Sequence, residues 1–161
     1  MAYVISIVNQ KGGVGKTTTA VNLGAFLAKK RKKVLIIDLD PQGNATSGYG
    51  FDKSELENTV YDLLVNEEDI GNVIAPTTVK NVDMCPTNIN LAGAEVELVS
   101  AISRETILKR AIEPVLDKYD YIIVDCPPSL GLLTINALAA CEGVIVPIQG
   151  EYYALEGLTQ L

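Results

Sequence analysis

Short apolar runs rich in β-branched residues recur along the chain, separated by stretches whose apolar positions fall at helical spacing. Such alternation predicts β-α-β units, hence an α/β fold with a mostly parallel sheet and helices on both faces. Four runs read as strands: Val4 to Val8, Val34 to Ile37, Tyr121 to Val124 and Val144 to Ile148. Each is nearly continuous in apolar residues, as expected of strands covered from both sides. Val82 to Cys85 reads as a weaker strand. Helical spacing places Val21, Leu23, Leu27 and Ala28 on a first helix from about Lys16 to Lys30. It places Ile107, Leu108, Ala111, Ile112, Val115 and Leu116 on a second, from Glu105 to Leu116, whose last turn Pro114 must distort. Residues 43–100 are dotted with glycine and asparagine and carry one short predicted helix, Val60 to Val65. Tyr153 to Leu161 read as the opening of a further helix with no strand after it, the pattern of a domain whose last strands and helices lie downstream.

Composition narrows the classes. With 161 residues and 48% hydrophobic content, the chain can bury one real core and is too short for two ordinary ones. Its net charge of -7 argues against polyanion binding by this chain as a monomer, because non-specific affinity for nucleic acid comes from neutralised phosphates. Cys85, Cys126 and Cys141 are far apart, odd in number and without C-x-x-C spacing, which fits reduced thiols in a cytoplasm better than zinc or a redox pair. Met1 leads directly into the run from Tyr3 to Val8, with no basic flank and no cleavage signal, so export is not expected. Charge or glycine cuts every apolar run short of the ~20 residues that span a bilayer, so no membrane partner is expected.

The chemistry starts where the first strand ends. Asn9-Gln10-Lys11-Gly12-Gly13-Val14-Gly15-Lys16-Thr17-Thr18 lies between that strand and the first helix. Glycines allow successive N–H groups to turn inward onto phosphate oxygens, and the helix N-terminus adds partial positive charge. Lys11 to Thr18 is therefore a candidate ATP-binding loop, with Lys16 reaching the β- and γ-phosphates and the Thr17 hydroxyl offered to Mg²⁺. The common pattern has glycine at position 10. Here Gln10 stands instead, followed by a second lysine, Lys11.

Lys11-Gly12-Gly13-Val14-Gly15-Lys16-Thr17-Thr18, with its extra lysine, resembles the deviant phosphate loop of the ParA/MinD ATPase superfamily. The second predicted strand ends in Asp38-Leu39-Asp40-Pro41-Gln42-Gly43-Asn44, which puts two acids at the carboxyl edge of the sheet, where open α/β folds bind ligands. Asp38 is assigned to the magnesium shell. The superfamily resemblance makes Asp40 the residue that orients or deprotonates the attacking water, and turn capping before Pro-x-Gly is the other use open to both acids. The third strand ends in Asp125, then Cys126-Pro127-Pro128-Ser129-Leu130-Gly131. That has the form of a Walker B strand, whose acid holds Mg²⁺, commonly through water, with the proline-rich turn as a switch segment sensing the γ-phosphate.

Four stretches resemble the ParA/Soj branch of chromosome- and plasmid-partitioning ATPases: Asp38 to Thr46, Leu91 to Leu98, Asp125 to Gly131 and Pro147 to Leu161. Gly150 stands where many such sequences carry cysteine, a departure that touches none of this chemistry. The resemblance implies one P-loop ATPase domain over residues 1–161 and an ATP-driven switch. ATP permits a sandwich homodimer, the dimer binds DNA non-specifically through residues beyond Leu161, and a ParB-type centromere-binding partner stimulates slow hydrolysis at the bacterial nucleoid. In this scheme Lys11 reaches the partner copy's ATP, Lys16 acts in its own site, Thr17, Asp38 and Asp125 serve magnesium and Asp40 serves water. Gly12 stays small so that two loops can meet.

The rival readings share the loop. A MinD-like membrane-cycling ATPase attaches to lipid through a C-terminal amphipathic helix. The Asp38 and Leu91 stretches favour ParA over it. A nitrogenase-iron-protein-like carrier binds a cluster through a cysteine several residues beyond the Walker B acid, whereas here Cys126 follows Asp125 immediately and Leu132 and Leu133 fill that neighbourhood. A module that binds nucleotide without turnover is the non-enzymatic alternative. The basic run Lys29 to Lys33 offers a DNA or lipid contact, but its place at the end of the first helix favours dipole complementation and a solvated turn.

Overall fold

The structure, a computed structural model, describes residues 1–150. In chain order its elements are β1 (Tyr3–Ile7), α1 (Lys16–Lys29), β2 (Val34–Asp38), α2 (Asn44–Gly48), α3 (Val60–Val65), α4 (Ile70–Val73), β3 (Ala75–Pro76), β4 (Val82–Cys85), α5 (Ala94–Glu97), α6 (Ile107–Ile112), β5 (Tyr121–Asp125), α7 (Leu132–Ala140) and β6 (Gly143–Ile145). Among the described residues the strands form one six-stranded sheet in the order β3-β4-β2-β5-β1-β6. Every pairing is parallel except β3 with β4. This is a mostly parallel α/β sheet covered by helices, as the alternation predicts, and it is the sheet of the P-loop NTPase type that the Lys11 to Thr18 resemblance implies.

Period-two alternation decides which side each strand residue serves. Leu35, Ile37, Ile122 and Val124 pack in a core with residues of α3, α5, α6 and α7. Val34, Ile36 and Ile123 pack with Ala20 and Ala28 of α1 and Ala45 of α2. All five residues of β2 are buried, so the run has no polar alternation to show. α1 lies close to the sheet because Gly24 has no side chain: a Cβ there would sit 2.7 Å from Ile36 Cδ1 and 2.6 Å from the Tyr49 hydroxyl.

Several predicted bounds shift for identifiable reasons. β1 begins and ends one residue before the predicted run, and β2 and β5 extend to include their terminal acids. β6 is shorter than Val144 to Ile148, because Pro147 has no N–H to give a ladder. The helix predicted from Glu105 to Leu116 divides into a 3-10 turn at Arg104–Thr106, α6, and a 3-10 turn at Glu113–Val115 that carries Pro114 near its start. Asn136 of α7 sets the front of α6: its Oδ1 accepts from the Leu108 amide (3.1 Å), and its Nδ2 donates to the Arg104 (2.7 Å) and Leu132 (3.0 Å) carbonyls. α7 itself is not marked by the pattern, because Leu-Leu-Thr-Ile-Asn-Ala-Leu-Ala-Ala is apolar nearly all round and shows no stripe. The helix expected from Tyr153 to Leu161 lies outside the described residues.

Candidate functional site

Parallel strands aim their carboxyl ends the same way, and here those ends gather the sequence-predicted groups at one edge. The loop leaves β1 between β5 and β6 and curls through Gly13 (φ +71°) and Gly15 (φ +93°), left-handed conformations that glycine adopts without steric cost. α1 then begins at Lys16 with no side-chain cap and no acid in its first turn. Its leading amides are left for an anion. Gly12 differs from its neighbours: its φ is not positive, and a Cβ would meet nothing within 4 Å. Nothing within the described residues demands glycine there.

Lys16 is 6% exposed, and its Nζ donates to the Lys11 carbonyl at 2.9 Å, across the mouth of the loop. Burial lowers its pKa, and the charges of Asp125 and Asp40 oppose that. The Thr17 hydroxyl donates to Asp125 Oδ2 at 2.8 Å, joining the helix start to the end of β5. Asp125 is fully buried, and its other oxygen, Oδ1, has no hydrogen-bond partner among the described residues. Burial, with the charge of Asp38 behind it, pushes its pKa up to about 7, against the pull of the Thr17 bond and the Lys16 charge.

Asp38 and Asp125 are register partners on adjacent strands. Asp38 is nonetheless held differently. Its Oδ2 accepts from the Thr46 amide (2.8 Å) and hydroxyl (2.7 Å), and its Oδ1 from the Asp40 amide (3.1 Å). Burial raises its pKa to about 6, and these bonds resist the rise. Both oxygens are thus spent on the turn that carries Asp40 and α2. Asp40, 8% exposed, accepts from the Gln42 amide at 2.9 Å through Oδ1. The turn capping open to both acids is therefore present, and Asp40 also faces solvent space.

That space is a cavity of about 390 Å³ lined by Gly12, Gly13, Gly15, Lys16, Thr17, Thr18, Asp40, Gln42, Asn44 and Pro128. Lys11 is exposed at its rim, and Val14 turns its side chain into the protein at 7% exposure. Magnesium prefers oxygen ligands and keeps several waters. A threonine hydroxyl in the cavity wall, backed by a buried carboxylate with an orphaned oxygen, is a donor set that fits it. The uncapped helix start and Lys16 fit the phosphates of a nucleotide.

Sequence reasoning missed the groups that brace the loop from the β6 side. Asn9 Oδ1 accepts from the Lys11 amide (3.0 Å) while its Nδ2 donates to the Pro147 carbonyl (2.9 Å). Gln149 Nε2 donates to the Gly13 carbonyl (2.9 Å). Asn9 borders the motif and is 7% exposed, but a polar residue at a strand end carries no sign of what it bonds.

Fold and site together define a P-loop nucleotide-binding domain. A family model described as an AAA domain matches residues 2–161, and the chain belongs to that family. It is 63% identical over 161 residues to the sporulation initiation inhibitor protein Soj of Bacillus subtilis strain 168, covering 100% of this chain and 64% of that protein. It is 53% identical to the chromosome partitioning protein ParA of Myxococcus xanthus, covering 98% of this chain and 56% of that protein. The chain thus spans less than two thirds of the length of these relatives. Among solved structures, the cobyrinic acid a,c-diamide synthase of Mycobacterium smegmatis with bound ATP analogue and magnesium superposes with a TM-score of 0.95 at 42% identity, covering 99% of this chain and 65% of that one. A plasmid partition protein of Borrelia burgdorferi bound to AMPPNP superposes with a TM-score of 0.85 at 31% identity, covering 99% of this chain and 68% of that one.

Proposed function

We propose that residues 1–161 act as one Mg-ATP-dependent switch domain with slow ATP hydrolysis, serving DNA partitioning together with a ParB-type partner. The observation that carries the nucleotide reading is the Thr17–Asp125 bond, with the orphaned Asp125 oxygen behind it, at the foot of an uncapped helix start. The partitioning reading is supported by the identity to Soj and ParA proteins and by a plasmid partition protein of the same fold.

Lys16 is poised to exchange the Lys11 carbonyl for a phosphate oxygen, a strong charge-assisted contact in a buried setting. Thr17 and Asp125 would hold magnesium, and the ion when bound would supply positive charge against the β- and γ-phosphate oxygens. Asp38 contributes negative charge beside Asp125 and fixes the Asp40 turn. Asp40 positions water from the cavity wall. Lys11, exposed at the rim, reaches the nucleotide of a second copy, and Gly12 leaves room for that copy's loop. The dimer and its DNA contacts complete the switch.

Turnover by the Asp40→Ala variant tests the catalytic assignment. Magnesium-dependent ATP binding stays within about threefold of the parent, while phosphate release falls by about a hundredfold, the scale of losing a positioned acid-base group. Undiminished release removes Asp40 from its role.

A further inference from the structure

The Leu91 to Leu98 stretch marks the family resemblance, yet nothing in the nucleotide site uses it. It folds as a 3-10 turn, Ile89–Gly93, followed by α5 and a second 3-10 turn, Leu98–Ser100. Leu91, Ala94 and Leu98 are buried and fix this segment to the core beside α3, α6 and α7. Glu95 points elsewhere. Its Oε1 accepts from the Leu133 amide at 3.3 Å, across a sequence separation of 38 residues, at the start of α7.

That helix start has no acceptor of its own. Gly131 occupies the N-cap without a side chain, and the first turn of α7 contains no acid. A carboxylate supplied from another element meets both the orphan amides and the positive end of the helix dipole. The fit also explains Gly131. Its backbone, at φ −74° and ψ −172°, suits any residue, so conformation does not require glycine. Space links it to Glu95: a Cβ on Gly131 would collide with Glu95 Oε1 and lie 2.9 Å from Oε2 and 2.8 Å from Cδ, so the carboxylate would have to swing away.

The segment so held is 126–131, which joins Asp125 to α7 and places Pro128 in the wall of the nucleotide cavity. Pro127 and Pro128 lack N–H groups, so few bonds hold the turn. Cys126 N–H donates to the Ile7 carbonyl (3.2 Å) at one end. The Thr134 hydroxyl donates to the Ser129 carbonyl (2.7 Å) at the other. Glu95 adds the clasp that seats the α7 start behind them.

We infer that Glu95 is a positioning residue for the 126–131 segment, acting through Gly131 and the Leu133 amide to set where Pro128 and Ser129 stand relative to the bound nucleotide. The inference rests on the Mg-ATP reading of the cavity for its effect on turnover, but not for its effect on the segment.

Hydrogen exchange read peptide by peptide, on the chain without nucleotide, separates the two. In Glu95→Ala, amides over residues 129–135 exchange faster by about fivefold, the scale of one lost cap, while the phosphate loop and β2 keep their protection. Glu95→Gln, which retains an acceptor oxygen, restores most of the protection. Gly131→Ala displaces the carboxylate and reproduces the Glu95→Ala pattern, and the double variant is no worse than either single one, because both remove one interaction. On turnover, Glu95→Ala lowers kcat by about fivefold with KM within twofold of the parent, since Lys16 and the loop are untouched. Unchanged exchange at 129–135, faster exchange throughout the chain, additive losses in the double variant, or a turnover loss carried by KM overturns the inference. A parent chain that binds no nucleotide sinks the Mg-ATP reading instead, and the exchange pattern then decides the clasp by itself.

Discussion

Asp125 sits in the candidate site where burial and a like charge both oppose its ionised form. It is buried, one oxygen has no partner among the described residues, and Asp38 adds a like charge beside it. Its ordinary value of 3.8 is raised to about 7 in the folded chain, and that of Asp38 from 3.8 to about 6. The sign follows from linkage. A carboxyl whose pKa rises on folding gives stability that is fully present below about pH 4 and lost as the pH rises through the folded value. In chelator and without nucleotide, the chain is therefore expected to lose thermal stability between about pH 4 and pH 7 on account of these two groups. Asp125→Asn removes the ionisable group while keeping its shape, so its melting temperature is expected to exceed the parent's at pH 8 by a few degrees, a shift of ~1 kcal/mol. The same variant is expected to lose most of the stabilisation that Mg-ATP gives. Melting curves with chelator and with Mg-ATP check both, and a parent curve flat across this pH range contradicts the burial argument. Lys16 and Thr17 were legible from a motif in strand-loop-helix context and Asp125 from an acid that ends an apolar strand, whereas the role given to Asp40 came from the family resemblance. The commitment of Asp38 to Thr46 was not legible, since the partner lies eight residues on and its hydroxyl gives no pattern in sequence.

At the scale of elements, the sheet was readable and the helices on its far side were less so. β2 and β5 announce themselves because both faces are covered, leaving unbroken apolar runs ended by acids. α7 is hidden by the same rule, since an all-apolar helix has no polar face to set a period. The divided helix around α6 shows tertiary contacts overriding local spacing: Asn136 fixes its first turn from another helix, and Pro114 ends it. Close approach is the other thing a pattern cannot show. Gly24 reads as an ordinary helix weakness, yet it is the point where α1 meets Ile36 and Tyr49. Gly24→Val is expected to cost about 1–3 kcal/mol by overpacking, measured by urea unfolding of the chain. A loss under ~0.5 kcal/mol would mean that α1 has room to move away from the sheet.

For the molecule as a whole, two features of the phosphate loop bear on the proposed pairing of copies. Lys11 is exposed at the rim beside Lys16, and Gly12 has open space where a side chain would go. Both fit a loop that meets a second copy. Sedimentation velocity with Mg-ATP and the Asp40→Ala variant, which on the proposed roles holds ATP without consuming it, is expected to show a dimer that Lys11→Ala abolishes while nucleotide binding stays within about threefold, because the proposal gives binding and pairing to different lysines. A Lys11→Ala chain that still pairs would remove the second lysine from the interface. Among the described residues no helix is long and apolar enough to cross a membrane. The measurement that tests the central claim most directly is a calorimetric titration of the chain with ATP, with and without magnesium, repeated on Lys16→Ala. One site per chain, tightened by magnesium and weakened at least about tenfold in Lys16→Ala, is the expected result for a lost charge-assisted phosphate contact. Absence of binding, or binding that Lys16→Ala leaves unchanged, would contradict the account.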